Sequence, residues 1–218
     1  MEYKRLTLFA GHYGSGKTNI AVNYAVHMKR QGKEVVIADL DIVNPYCRTK
    51  DSAKELEDEG IRLISSEYAN SNVDLPALPS QLYELVENKQ NNAVLDIGGD
   101  DRGAFALGRY TPAILKENDY EMLFVINRHR PLTSDAQSTV EIMREIEAAS
   151  GIPFTAIVNN SNIGPETTPD VVRNSYAYAN EVSSLTGLPI KFTSVASFVD
   201  TSELEGELLL LDLQKKII

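Results

Sequence analysis

Residues 11–18 read Gly11-His12-Tyr13-Gly14-Ser15-Gly16-Lys17-Thr18, the pattern G-x-x-x-x-G-K-[ST]. No other stretch of the chain restricts its fold as tightly. The seven residues before it, Lys4-Arg5-Leu6-Thr7-Leu8-Phe9-Ala10, suit a short buried strand. After it, Ile20, Ala21, Tyr24, Ala25 and Met28 recur at helical spacing, and Gly32 makes a natural stop. Strand, glycine-rich loop and helix together are the context that turns this pattern into a phosphate-binding P-loop.

The residue types follow from the chemistry. Glycine lets the backbone adopt conformations that a side chain resists, so loop N–H groups can converge on phosphate oxygens. The following helix adds its N-terminal dipole to the same place. Lys17 brings a point charge to the β- and γ-phosphates, and the Thr18 hydroxyl suits Mg²⁺. Residues 11–19, from Gly11 to Asn19, are therefore the candidate nucleotide contacts.

Charge narrows the classes of partner. The 218 residues carry 21 basic and 31 acidic side chains, a net charge of −10. There is no polybasic run, which argues against a broad nucleic-acid footprint. One cysteine, Cys47, and three histidines leave neither an internal disulfide nor a His/Cys metal cluster. Cys47 reads as a small loop or core residue. No apolar stretch reaches the ~18–20 residues that span a bilayer, and the first strand runs straight into the loop without a signal segment. A soluble cytoplasmic protein with one domain over 1–218 is expected.

Apolar strand-like runs alternate with helical patterns along the chain. Residues 34–39, 61–64, 93–97, 122–127, 154–159 and 190–195 read as strands after the first. Helical patterns lie at 80–88, 103–117, 134–149, 170–186 and 201–213, and the Pro-containing stretch 65–80 reads as a loop. Continuous Val/Ile/Leu runs separated by helices predict a three-layer α/β fold. Its sheet is mostly parallel, of about seven strands, with helices on both faces. The tail 203–218 has apolar character, but its polar residues are largely acidic until two final lysines. Anionic lipid would repel most of it, so it is expected to pack on the domain.

Several predicted strands end in an acid or an amide, and ligands of such sheets bind beyond the carboxyl ends of the strands. Asp39, Asp96, Asn127 and Asn159 thereby share a rim with the P-loop. Asp96 ends an apolar run followed by Ile97-Gly98-Gly99, the form of a Mg²⁺-holding acid with a flexible switch behind it. Capping of the next turn is the competing role. Asp39 and Asp41 bracket Leu40, a spacing that suits Mg²⁺ and an attacking water, or a helix cap or solvated turn. Asn159-Asn160 suits an adenine edge, since an amide both donates and accepts, and equally an Asn-rich turn. Arg128 and Arg130 suit phosphate, a partner acid or a solvated loop; Tyr176 and Tyr178 suit packing.

The loop, Ala38-Asp39-Leu40-Asp41, Asp96-Ile97-Gly98-Gly99 and the strand end at Asn159 occur in the order found in the ParA/MinD-type ATPases. Over about 4–200 the chain resembles the CobQ/CobB/MinD/ParA nucleotide-binding domains, P-loop ATPases of the deviant Walker A class. That resemblance implies ATP and Mg²⁺ as ligands. It implies Lys17 on the phosphates, Thr18 on Mg²⁺ with Asp39 and Asp96, and Asp41 positioning water. Gly98 and Gly99 would form a switch, and Asn159 would contact adenine. It further implies an ATP-dependent homodimer. The family's signature lysine follows the first glycine of the loop, where this chain has His12. An imidazole is shorter and mostly neutral at pH 7, so it supplies no permanent charge.

The resulting expectation is a Mg²⁺-ATP-binding switch that hydrolyses its nucleotide by in-line attack of water. An ATP-dependent small-molecule enzyme of the dethiobiotin synthetase or amidating type shares the fold, and a non-hydrolysing binding module is a third form. The guanine-reading N-K-x-D motif is absent at Asn159-Asn160-Ser161-Asn162, which favours adenine.

Overall fold

The computed structural model describes residues 1–40, 49–65, 83, 85–86, 89–98, 104 and 107–213. Eight strands form one sheet, all parallel, in the order β3-β2-β4-β1-β5-β6-β7-β8. They are β1 (Leu6–Ala10), β2 (Val35–Leu40), β3 (Arg62–Ser65), β4 (Asn92–Ile97), β5 (Tyr120–Ile126), β6 (Ala156–Asn159), β7 (Ile190–Ala196) and β8 (Leu208–Leu211). The helices are α1 (Lys17–Arg30), α2 (Ala53–Asp58), α3 (Thr111–Glu117), α4 (Ala136–Ser150), α5 (Pro169–Arg173) and α6 (Tyr176–Thr186).

Both faces of the sheet are buried, which is why its strands read as unbroken apolar runs. Leu6, Leu8 and Ala10 of β1 point into one core with Ile146 of α4 and Val182 of α6. Phe9 points the other way, into a core with Ile20, Tyr24 and Met28 of α1. From β1 the chain goes first to one side, through β2, β3 and β4, and then to the other, through β5 to β8. The loop after β1 therefore sits where the connections diverge, the usual ligand position in such sheets.

Two expectations need correction. Residues 201–213 contain a strand rather than a helix. Gly206 has φ +87°, and the four leucines that follow pair in parallel with Thr193–Ala196 of β7. Leu209 and Leu211 are buried while Leu210 is 55% exposed, a period of two. A run of four leucines has no period in its hydropathy, so the choice fell to the free edge of β7. The segment does pack on the domain, as expected. The predicted helix 170–186 is broken between α5 and α6, because the Ser175 hydroxyl donates to the Val172 carbonyl (2.6 Å). With β8 the sheet has eight strands, within the expected parallel architecture of about seven. The predicted loop 65–80 apart from Ser65, which ends β3, most of the predicted helix 80–88, and Cys47 lie outside the described residues.

Candidate functional site

The loop between β1 and α1 has the backbone that its glycines anticipate. Gly11 has φ +155°, and a Cβ there would strike the Val125 carbonyl of β5. Gly16, the residue before α1, has φ +91°, and a Cβ there would strike the Asn160 side-chain amide. Lys17 and Thr18 open α1 and are buried, with the Lys17 ammonium 3.3 Å from the His12 carbonyl. The Ser15 hydroxyl is fully buried and has no hydrogen-bond partner among the described residues. His12 is half-buried, its Nδ1 2.9 Å from the Tyr13 carbonyl, and the Tyr13 ring is 50% exposed. Asn19 accepts a bond on its carbonyl from Asn23 (2.8 Å).

The two candidate metal-binding acids stand side by side. Asp39 and Asp96 are register partners on β2 and β4. Residues two positions earlier, Ile37 and Val94, point into the α1 core, so both carboxylates face the α1 side of the sheet. Both are buried, and Asp96 accepts a hydrogen bond from the Thr49 hydroxyl (3.0 Å). Thr49 carried no signal in the sequence; a threonine nine residues beyond Leu40, the end of β2, matters only because the chain returns there. Gly98 is buried directly after β4. Asp41 and Gly99 lie outside the described residues. Among the described residues no cluster of three or more His, Cys, Asp or Glu gathers round a point. An oxygen set of Thr18, Asp39 and Asp96 nevertheless fits a hard cation, because Mg²⁺ takes one or two carboxylates and completes its shell with water and phosphate.

The adjacent asparagines divide the work differently from the expectation. Asn159 is fully buried: its amide donates to the Ser175 hydroxyl (2.8 Å) and its oxygen accepts from the Ser161 N–H (3.2 Å). It faces the interior, because a residue on the inner face of β6 spends its amide on the break between α5 and α6. Asn160 is the one that meets the P-loop. Its Nδ2 donates to the Ser15 carbonyl (2.6 Å), and its Oδ1 accepts from the Ser194 hydroxyl of β7 (2.5 Å) and from Asn162 (3.0 Å). A trans peptide sets the C=O and the next N–H in opposite directions. Holding the Ser15 carbonyl toward Asn160 therefore turns the Gly16 N–H away from it.

The loop after β5 holds the next carbonyl. Arg130 Nε donates to the Gly14 carbonyl (2.6 Å). Its neighbour Arg128 instead donates to the Asn174 carbonyl (2.7 Å), as part of the surrounding structure. Between them, His129 has its pKa lowered, first by burial and then by the two arginine charges. Tyr178 packs as expected, its hydroxyl donating to the Thr133 carbonyl (2.8 Å); burial pushes its pKa up to about 12.

A glycine-rich loop on a helix N-terminus, beside paired carboxylates at the carboxyl edge of a parallel sheet, defines a P-loop nucleotide-binding protein. The family model for the CobQ/CobB/MinD/ParA nucleotide binding domain matches residues 6–165, and the chain belongs to that family. A comparison with curated protein sequences gives no match. Among solved structures, FtsY from Mycoplasma mycoides is similar at TM-score 0.59 and 16% identity, over 89% of this chain and 60% of that one. Chloroplast FtsY from Physcomitrella patens gives TM-score 0.58 and 18% identity, over 88% of this chain and 59% of that one. The signal recognition particle 54 kDa protein from Aeropyrum pernix K1, in complex with GDP, gives TM-score 0.53 and 18% identity, over 88% and 41%. The chain thus spans three-fifths or less of these proteins, and at such identities the likeness is one of fold. Among the described residues no helix is long and apolar enough to cross a membrane.

Proposed function

We propose that this chain binds ATP with Mg²⁺ and works as a nucleotide-dependent switch that hydrolyses ATP. The observation that carries the reading is that α1, which opens with Lys17 and Thr18 directly after the glycine loop, packs on the sheet face that bears Asp39 and Asp96. Lys17 binds the phosphate chain, and the loop N–H groups orient it at the helix terminus. Thr18, Asp39 and Asp96 would hold Mg²⁺, which when bound neutralises charge on the phosphates. Asp41, two residues after Asp39, is the carboxylate proposed to orient water. Adenine over guanine rests on the missing N-K-x-D motif; one of the similar structures, the Aeropyrum protein, is a GDP complex, so the base needs a direct test. Association of two copies on binding ATP is the proposed output, readable by sedimentation with and without a non-hydrolysable analogue.

The deciding measurement is isothermal titration of ATP and GTP in Mg²⁺, on wild type and Lys17→Ala. Charge-assisted hydrogen bonds contribute about 1.5–3 kcal/mol each. Losing the Lys17 contacts should therefore weaken ATP by roughly 100-fold while the fold remains. Wild-type affinity in a folded Lys17→Ala protein would remove the assignment, and preference for GTP would correct the base.

A further inference from the structure

The site contains a cation that the P-loop pattern does not include. Arg130 lies on the loop after β5, and its side chain rests over Gly14: a Cβ on Gly14 would lie 3.5 Å from Nε and 3.9 Å from Cζ. Nε is committed to the Gly14 carbonyl at 2.6 Å. Among the described residues neither terminal nitrogen of Arg130 has an acceptor, and the side chain is exposed. One edge of the guanidinium is thus fixed to the phosphate-binding loop, while the remaining four N–H donors are uncommitted.

The loop that carries it is braced. Arg130 N–H donates to the Asn127 carbonyl (3.2 Å), and Thr133 N–H to the Arg130 carbonyl (3.1 Å). The Thr133 hydroxyl donates to the Asn127 carbonyl (2.8 Å), the His129 N–H to Asn127 Oδ1 (2.9 Å), and the Arg128 N–H to the Ser161 hydroxyl (3.2 Å). Tyr178 anchors the far end at Thr133. A long cationic side chain usually loses much rotamer freedom on meeting a ligand. Here part of that ordering is already in place, and the guanidinium is suited to forked contact with phosphate oxygens. No carboxylate pairs with it among the described residues, in a chain of net charge −10.

We propose that Arg130 contacts the phosphate chain of the bound nucleotide through its terminal nitrogens and makes the site favour triphosphate over diphosphate. The inference rests on the nucleotide-binding reading above. A fixed cation at the loop gains more from the longer, more highly charged chain, whereas a residue that only shapes the loop through Gly14 would affect both ligands alike.

The test is titration of Mg-ATP and Mg-ADP into wild type, Arg130→Gln, Arg130→Lys and Arg128→Ala. Both substitution sites are loop positions, Arg128 half-buried and Arg130 exposed, and thermal unfolding checks that each variant is folded. Arg130→Gln is expected to weaken ATP at least tenfold and to lower the ATP-over-ADP ratio at least threefold. Arg130→Lys keeps most of that ratio, since it keeps the charge, and Arg128→Ala leaves it within a factor of two. A wild-type ratio in Arg130→Gln would overturn the proposal, whether affinities stay the same or fall equally for both nucleotides. So would the same loss of ratio in Arg130→Lys as in Arg130→Gln. If wild type binds neither nucleotide, it is the function proposed above that fails.

Discussion

The two ends of the sheet both bury charged and polar side chains, and they treat them in opposite ways. At the amino end Arg5 pairs with Glu117 and also donates to the carbonyls of Leu85 (3.0 Å), Asn91 (3.2 Å) and Val86 (3.3 Å). Glu121 accepts from Thr7 (3.0 Å) and Tyr24 (2.8 Å) and pairs with Lys191. Burial, and then the Glu121 carboxylate, push the Tyr24 phenol far above its usual range, so it stays a donor at any working pH. At the carboxyl end, among the described residues, the Ser15 hydroxyl is buried without a partner and the Arg130 terminal nitrogens have no acceptor. Buried polar groups are normally satisfied, because an unsatisfied one costs about 1–3 kcal/mol. The amino end closes these groups on each other; the carboxyl end bonds Asn159, Asn160 and Asp96 in the same way but also keeps donors available, and that is the end where the P-loop lies. The difference separates residues that hold the fold from residues held for a ligand.

The largest expected effect lies at the closed end. Glu121→Ala leaves Lys191, Tyr24 and Thr7 without their shared acceptor in a buried place. Breaking one side of a buried ion pair costs about 3–5 kcal/mol. Urea unfolding should show a loss near the lower figure, since the Lys191 side chain is 16% exposed and can reach water. ATP affinity of the protein that remains folded should stay within twofold. A change in affinity as large as the change in stability would mean that the two ends are coupled, and the division drawn here would fail.

The second effect moves to the open end and reverses the pattern. Asn160→Asp keeps the shape but replaces the donor to the Ser15 carbonyl with an acceptor, while Ser194 still donates from behind. Two acceptors face each other, the Ser15 peptide is no longer held, and the Gly16 N–H loses its fixed direction. ATP binding, measured by titration, should weaken by roughly tenfold, which corresponds to about 1.4 kcal/mol. Ser194→Ala should produce a smaller loss in the same direction, because the orientation of the Asn160 amide is then held only by the Asn162 donor at 3.0 Å. Unchanged affinity in both variants would show that the P-loop holds its form without this latch.

How much of this was legible in the sequence depends on how local the cause is. The P-loop, its strand and its helix were readable because their signals are contiguous: glycines at fixed offsets, then a 3.6-residue apolar period. The acids Asp39 and Asp96 were readable as strand ends on one rim, but their adjacency comes from the strand order, which sets β2 beside β4 and leaves no local signal. Asn159 and Asn160 could not be told apart, since neighbours on a strand point to opposite faces and the register decides which one meets the loop. Arg130 stood open among phosphate, a partner acid and solvent, because its partner Gly14 is 116 residues away. Arg5 and Glu117, 112 residues apart, gave no local sign at all. The last strand was misread for a related reason: its pairing belongs to β7, and four leucines carry no phase of their own.

The smallest effect is the sharpest test of the contrast. Ser15→Ala removes a hydroxyl that is fully buried and meets no hydrogen-bond partner among the described residues. In the free protein that hydroxyl costs desolvation with nothing in return, so its removal should raise stability by about 1 kcal/mol in urea unfolding. If the open end holds its donors for a ligand, the same substitution should weaken ATP a few-fold, so stability and affinity move in opposite directions. Thr7→Ala at the closed end is the matched control, since it removes a hydroxyl that is bonded to Glu121 at 3.0 Å. It should lower stability by about 1 kcal/mol and leave affinity alone. Loss of stability in both variants would show that the Ser15 hydroxyl is merely a packing atom. The carboxyl end would then be as self-satisfied as the amino end, and the contrast between them would rest on Arg130 alone.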